Sequence, residues 1–212
     1  MKKKLVLIGA GNVCGYLAYN IHDFPEYEIT GILDDDIEKH HQDFYGLKVL
    51  GGIEFLKNFF GTEISVAICI HDPVMKFGIF EKIKHYGFNF PNFISPKAWV
   101  SHAVDIGIGS IIYPGVSINY ESRIGNFVSL NMNCALGHHS FVEDFVSFAP
   151  GVNLGGHTTL LKGVNMGIGA STLQGVTIGE FSIIAGNSIV IKDVPSYSKV
   201  IGVPGKVVEK VF

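Results

Sequence analysis

Ile124-Gly-Asn-Phe-Val-Ser-Leu130-Asn-Met-Asn-Cys-Ala-Leu136-Gly-His-His-Ser-Phe-Val142 places an aliphatic residue at every sixth position. Stepping outward by six in both directions, the frame holds without a slip from Ile94 to Val190, and sixteen of its seventeen positions are apolar, Thr172 being the exception. A second column, two residues earlier, is restricted to small or β-branched residues such as Ala98, Val104, Ser110, Val116, Ser122 and Val194. A helix needs a period near 3.6, and a meander needs turn clusters at irregular spacing. An unbroken period of six therefore predicts a parallel β-helix of hexapeptide repeats. Three short strands per turn make a coil of about 18 residues, so 94–194 forms five to six coils stacked at roughly 4.8 Å.

Residues 1–93 have a different period. Apolar runs at Lys4–Ile8, Tyr27–Leu33, Lys48–Leu50 and Ile64–Ile70 alternate with helical stretches at Val13–His22, Ile53–Phe60 and Pro73–Tyr86. That alternation predicts a small parallel sheet of βαβ units. It is large enough for a mononucleotide-binding, Rossmann-like half and too short for a full dinucleotide fold. The expected division is an α/β domain over 1–93 and a β-helix domain with a C-terminal tail over 94–212, joined through the proline-bearing stretch 88–96.

Composition narrows the function classes. Of 212 residues 26 are glycine, but with eight prolines and no Gly-X-Y period collagen is excluded. Sixteen Phe and eight Tyr with only 17% charged residues exclude a disordered chain. The net charge is −3 and Arg123 is the sole arginine, so no nucleic-acid partner is expected. No apolar window approaches the roughly 18–20 residues of a membrane span. The lysine-led start breaks at Gly9-Ala-Gly-Asn12 and reads as a buried strand rather than a signal peptide. Cys14, Cys69 and Cys134 are odd in number and set in apolar surroundings, which fits a reducing cytoplasm and neither disulfides nor zinc.

Two constellations carry chemistry. Gly9-x-Gly11 follows the first strand and lets backbone N–H groups and a helix start approach a diphosphate, while Asp34–Asp36 close the next strand, where a carboxylate can meet a ribose or base. A tight turn with a solvated acidic turn is the alternative. In the β-helix, His138 and His139 fall outside the inward columns and point outward. Glu121, His139 and His157 are spaced by 18 and form one vertical column, with Tyr120 below His138 and Gly156 above it. A histidine with a carboxylate and bare glycine backbone nearby has the parts for acyl transfer to an amine or hydroxyl; an exposed Gly-His-His corner is the alternative. His102 and His138 lie two coils apart, too far to share a metal within one chain, and no metal is expected. Cys134 sits in the small inward column and reads as core.

The hexads resemble the left-handed β-helix of hexapeptide acyltransferases, and that resemblance supplies the handedness. The whole chain resembles the NeuD/PglD-like sialic acid O-acetyltransferase family. The likeness rests on the opening Ile8-Gly-Ala-Gly11, Leu33-Asp-Asp35, Leu136-Gly-His-His139 and the closing Gly202-Val-Pro-Gly-Lys206. It implies an acetyl-CoA-dependent N-acetyltransferase acting on the C4 amine of a nucleotide-linked 4-amino-4,6-dideoxy sugar, in surface polysaccharide or glycan biosynthesis. His138 is then the base in a direct transfer. His139 stands where the family usually has an acid, which leaves Glu121 or Asp144 to orient the imidazole. The same resemblance implies an acetyl-CoA groove at Asn131, Ser147, Ala149, Gly156, Ile168 and Gly186, a nucleotide-sugar site at Gly9, Gly11, Asp34 and Asp35, and a homotrimer with sites between subunits. Alternatives are O-acetylation of a sialic acid or related sugar, or a non-catalytic nucleotide-sugar-binding trimer.

Overall fold

A computed structural model describes residues 2–211. The chain divides into two compact units: one takes the chain up to His71 together with Gly78–Pro91, the other takes Asp72–Phe77 and everything from Asn92 onward.

In the first unit β1 (Lys3–Ile8), α1 (Asn12–Asn20), β2 (Tyr27–Leu33), β3 (Asp43–Phe44), β4 (Leu47–Gly51) and β5 (Ile64–Ile68) build a five-stranded sheet in the order β3-β4-β2-β1-β5. Its β1, β2, β4 and β5 run parallel, as the alternating pattern predicts. The two-residue β3 pairs antiparallel with β4 at the edge; Asp43-Phe44 is too short for its periodicity to register. The central β1 is buried from Leu5 to Ile8, and every residue of β5 is buried. The stretch predicted as helix at 53–60 winds as a 3-10 helix over Ile53–Phe59. The last predicted helix is α2 (Pro73–Ile83) followed by a 3-10 turn at Lys84–Tyr86.

The second unit is the parallel β-helix. Two-residue strands stack in register at steps of 18 on three faces. The first face holds Trp99–Val100, Ser117–Ile118, Ala135–Leu136, Asn153–Leu154, Ser171–Thr172 and Ile189–Val190. The second runs from Asp105–Ile106 to Thr177–Ile178, and the third from Phe93–Ile94 to Ile183–Ile184. The aliphatic column and the small column are both buried in one continuous core from Ile112 to Val200. Cys134 belongs to it, and burial pushes its thiol up to about 11. The frame of six ends after Val190. Ile184 pairs with Val200, a step of 16, so the last coil is two residues short before an antiparallel hairpin of Ser198–Ile201 with Lys206–Lys210 closes the stack.

Unlike a single cut after residue 93, the division assigns Asp72–Phe77 to the β-helix unit. The reason is visible in its side chains. The Lys76 ammonium donates to Ser129 Oγ at 3.1 Å and Ser147 Oγ at 2.9 Å on the third face. The Phe77 ring meets Phe145 edge-on at 5.3 Å, lies 6.2 Å from Phe181, and takes the Lys162 ammonium at 3.9 Å.

Candidate active site

From Gly109 to Asn187 the coils turn between faces through corners with a residue in the left-handed region, where only glycine is free of steric cost. In the corner after the first face this position holds Glu121 (φ 56°), His139 (58°), His157 (58°) and Gly175 (75°). Each is held by its backbone: His139 N–H donates to Tyr120 O, His157 N–H to His138 O. Gly137 O accepts from the hydroxyls of Ser122 and Ser140, which ties the loop carrying both histidines to the buried small column. The vertical column expected from the spacing is therefore present, and its side chains touch.

The contacts form a chain. His139 Nε2 lies 2.6 Å from Glu121 Oε2, and His139 Nδ1 lies 2.9 Å from His138 Nδ1. A carboxylate only accepts, so with both rings neutral His139 carries its proton on Nε2 and offers a lone pair at Nδ1. His138 then donates through Nδ1–H and keeps its lone pair on Nε2. Tyr120 stacks on His138 with ring centres 5.4 Å apart and an angle of 10°, holding the imidazole plane. On the other side a Cβ at Gly156 would sit 2.9 Å from His138 Cε1 and Nε2, so bare backbone is needed for the ring to occupy this place. His157 stacks on His139 at 4.6 Å. A cleft of about 690 Å³ opens beside the column, lined among others by Asp105, Glu121, Arg123, His139 and Phe141. Arg123, missed as a site residue by the sequence reading, stands two residues from Glu121; its being the only arginine of the chain was the available signal.

Two expectations change. Asp144 does not reach the imidazoles: its Oδ1 accepts from Asn126 N–H at 2.7 Å, in the corner after the second face. The carboxylate of this site is Glu121, and it acts on His139 rather than directly on His138. Ser147 is fully buried on the third face with its hydroxyl on Lys76, so within this chain it presents nothing to a thioester. Of the other positions expected to line the cofactor groove, Asn131, Ala149, Ile168 and Gly186 share the corner after the third face. Ile168 is 62% exposed, and Gly186 lies one coil above it. Gly156 lies across the first face from them, against His138.

In the α/β unit, Gly9 (φ 97°) leads out of β1; a Cβ there would meet Ile70 Cδ1. Gly11 precedes α1 with open space around it and no side-chain cap. Asp34 is committed to the loop. Its carboxylate accepts from Ala10 N–H at 2.8 Å, Asp36 N–H at 3.0 Å and Lys39 Nζ at 3.0 Å. Partial burial opposes ionisation, but these donors hold the carboxyl below its usual range. Asp35 caps the 3-10 helix through Ile53 N–H at 2.8 Å and has Lys82 Nζ at 3.8 Å. The acid pair thus shapes the loop, with Asp35 the more exposed at 56% of its side chain.

An α/β domain with a Gly-x-Gly turn, followed by hexapeptide coils bearing an outward imidazole chain, defines a hexapeptide-repeat protein joined to a Rossmann-like half. Residues 4–83 match the family model described as the PglD N-terminal domain. Among solved structures, a variant of perosamine N-acetyltransferase from Caulobacter crescentus, in complex with CoA and GDP-perosamine, is 26% identical. The match covers 98% of this chain and 97% of that one with a TM-score of 0.91. The acetyltransferase domain of PglB from Neisseria gonorrhoeae is 25% identical, with 98% and 100% covered and a TM-score of 0.89. Serine acetyltransferase of Bacillus pumilus is 35% identical over 109 residues, 47% of this chain and 50% of that protein. The chain spans about half the length of the first curated relatives it matches. The N-terminal family model and the two structural likenesses support the NeuD/PglD-like nucleotide-sugar acetyltransferase family. Among the described residues no helix is long and apolar enough to cross a membrane.

Proposed function

We propose that the protein is an acetyl-CoA-dependent N-acetyltransferase acting on the C4 amine of a nucleotide-linked 4-amino-4,6-dideoxy sugar. The observation that carries the reading is the Glu121–His139–His138 chain, which leaves a lone pair on His138 Nε2 beside the bare backbone of Gly156. Likeness over nearly the whole chain to a protein solved with CoA and GDP-perosamine supports both substrates. The amine nitrogen attacks the thioester carbonyl, and His138 Nε2 takes the proton that the nitrogen loses. The imidazolium charge that develops is spread through His139 toward Glu121. As the tetrahedral intermediate collapses, the C–S bond breaks and the proton passes to the leaving thiolate, leaving the amide and CoA. Tyr120 and Glu121 act through His138 and His139 and are positioning residues. In the α/β domain Gly11 takes the diphosphate on its backbone N–H, Gly9, whose own N–H donates to Leu33 O at 2.7 Å, shapes the turn, and Asp35 meets the nucleoside.

The reading includes a trimer in the cytoplasm. Exposed Trp99, Tyr120, Met132, Phe141 and Leu173 on the coil walls support an assembly that covers them. The likeness to serine acetyltransferases favours a second reading, transfer to a sugar hydroxyl. Acetyl-CoA assays with GDP-, UDP- and dTDP-linked 4-amino sugars and their 4-hydroxy counterparts separate the two. Amide formed with one amino sugar is the expected result; ester only, or no product, rejects the first reading.

A further inference from the structure

One feature of the corner is not needed for proton transfer. His157, one coil above His139, brings a third imidazole to the cluster. One ring nitrogen of each of His138, His139 and His157 lies within 4.8 Å of the other two, and among the described residues this is the one such group of three or more His, Cys, Asp or Glu. The Nδ1 atoms of His138 and His139 already converge at 2.9 Å. A tetrahedral Zn²⁺ with nitrogens at about 2.0–2.1 Å holds them about 3.3–3.4 Å apart, so the His138–His139 pair lies near that spacing and the third imidazole has at most about 1.5 Å to close. The outer shell is built as well. Glu121 accepts from His139 Nε2, which fixes the tautomer and aims the Nδ1 lone pair into the cluster, the carboxylate–histidine arrangement that supports metal-bound imidazoles.

We propose that His138, His139 and His157 form a site for a divalent transition cation of borderline softness, Zn²⁺ in the first instance, and that the bound cation inhibits the protein. Three imidazoles suit Zn²⁺ and its neighbours and not Mg²⁺ or Ca²⁺, which take oxygen ligands. Binding displaces the proton between the two Nδ1 atoms. With Nδ1 coordinated, the single displaced proton of neutral His138 passes through solvent to Nε2, and the lone pair that serves as the base is gone. The inhibition clause rests on the function proposed above; the binding clause does not.

The test uses the full chain, freed of metal and without CoA, whose thiol binds Zn²⁺. Calorimetric titration with ZnCl₂ and absorbance titration with CoCl₂ are expected to give one equivalent per chain and the visible bands of tetrahedral Co²⁺. His157→Ala and the milder His157→Asn are expected to weaken binding at least tenfold with an unchanged circular dichroism spectrum, while His22→Ala leaves it intact. No saturable Co²⁺ binding to the wild type, or binding unaltered by both His157 substitutions, overturns the site. In the transfer assay Zn²⁺ should lower the rate of the wild type, recover on EDTA, and act far more weakly on His157→Ala; an undiminished rate at saturating Zn²⁺ overturns the inhibition. A protein that binds Co²⁺ through His157 but acetylates no acceptor removes the proposed function and leaves the metal site standing.

Discussion

Two corners of the same coil share a backbone and share nothing else. After the second face, the left-handed position holds Gly109, Phe127, Phe145, Gly163 and Phe181; after the first it holds Glu121, His139, His157 and Gly175. In the aromatic corner Phe127 and Phe145 stack at 5.3 Å and 6°, and both are buried. Gly163 leaves a gap between Phe145 and Phe181, and Phe77 from the 72–77 segment lies against both rings. In the histidine corner the rings stack as closely but remain open to the cleft. Identical main-chain geometry thus supports a structural clamp in one column and, in the next, the imidazole chain to which we assign proton transfer. The repeat supplies a vertical register of one side chain per coil, and chemistry is set by which residues occupy it.

Substitutions can break this contrast in measurable ways. The largest effect is expected from His138→Ala, which should lower the rate of acetyl transfer by about 10²–10⁴ while the thermal transition stays within a few degrees of wild type. Loss of stability without loss of rate per folded molecule would reverse the assignment. Phe145→Ala should do the opposite, costing about 3–5 kcal/mol in denaturant unfolding through the cavity it leaves, with the activity of the remaining folded protein largely kept.

Lys76 supplies the pH dependence. It is buried, and desolvation lowers its ammonium to about 7 despite the opposing charge of Asp72. Because the unfolded chain binds more protons than the native one between pH 7 and the ordinary lysine value, this group makes stability rise with pH across that window. The slope is about 1.4 kcal/mol per unit. Below pH 7 the full cost of the buried charge is present. Lys76→Met should abolish that slope and gain relative to wild type as pH falls, which unfolding curves at pH 6, 8 and 10 would show. The smallest effect is expected for Glu121→Gln. Its amide can still accept from His139 but cannot balance the developing charge, and a roughly tenfold loss in kcat with little change in KM is anticipated. A change confined to KM would place Glu121 in substrate binding instead.

Much of this was legible before any coordinates. The period of six set the coil, its inward columns and the outward column of Glu121, His139 and His157, because a repeat with a fixed step converts sequence distance into vertical position. The strands of the α/β domain were legible for the same reason: β1, β2 and β5 are long enough to show their apolar character. The paired strand Asp43–Phe44 was not, since two residues carry no period. Asp144, six residues after His138, already falls by that register in the corner after the second face; only the structure shows that Asn126 claims its carboxylate.

What the sequence determined by itself was the register, and with it which residues share a corner. Only the tertiary structure decided which atoms within a corner meet: that His139 stands between Glu121 and His138, that Gly156 makes room for the ring, and that Ser147 is spent on Lys76. The physical reason is that register follows from backbone hydrogen bonding between coils, which every residue type can join. Side-chain direction, tautomer and burial depend instead on neighbours brought in from other coils and from the segment 72–77, a distance in sequence that no local pattern encodes.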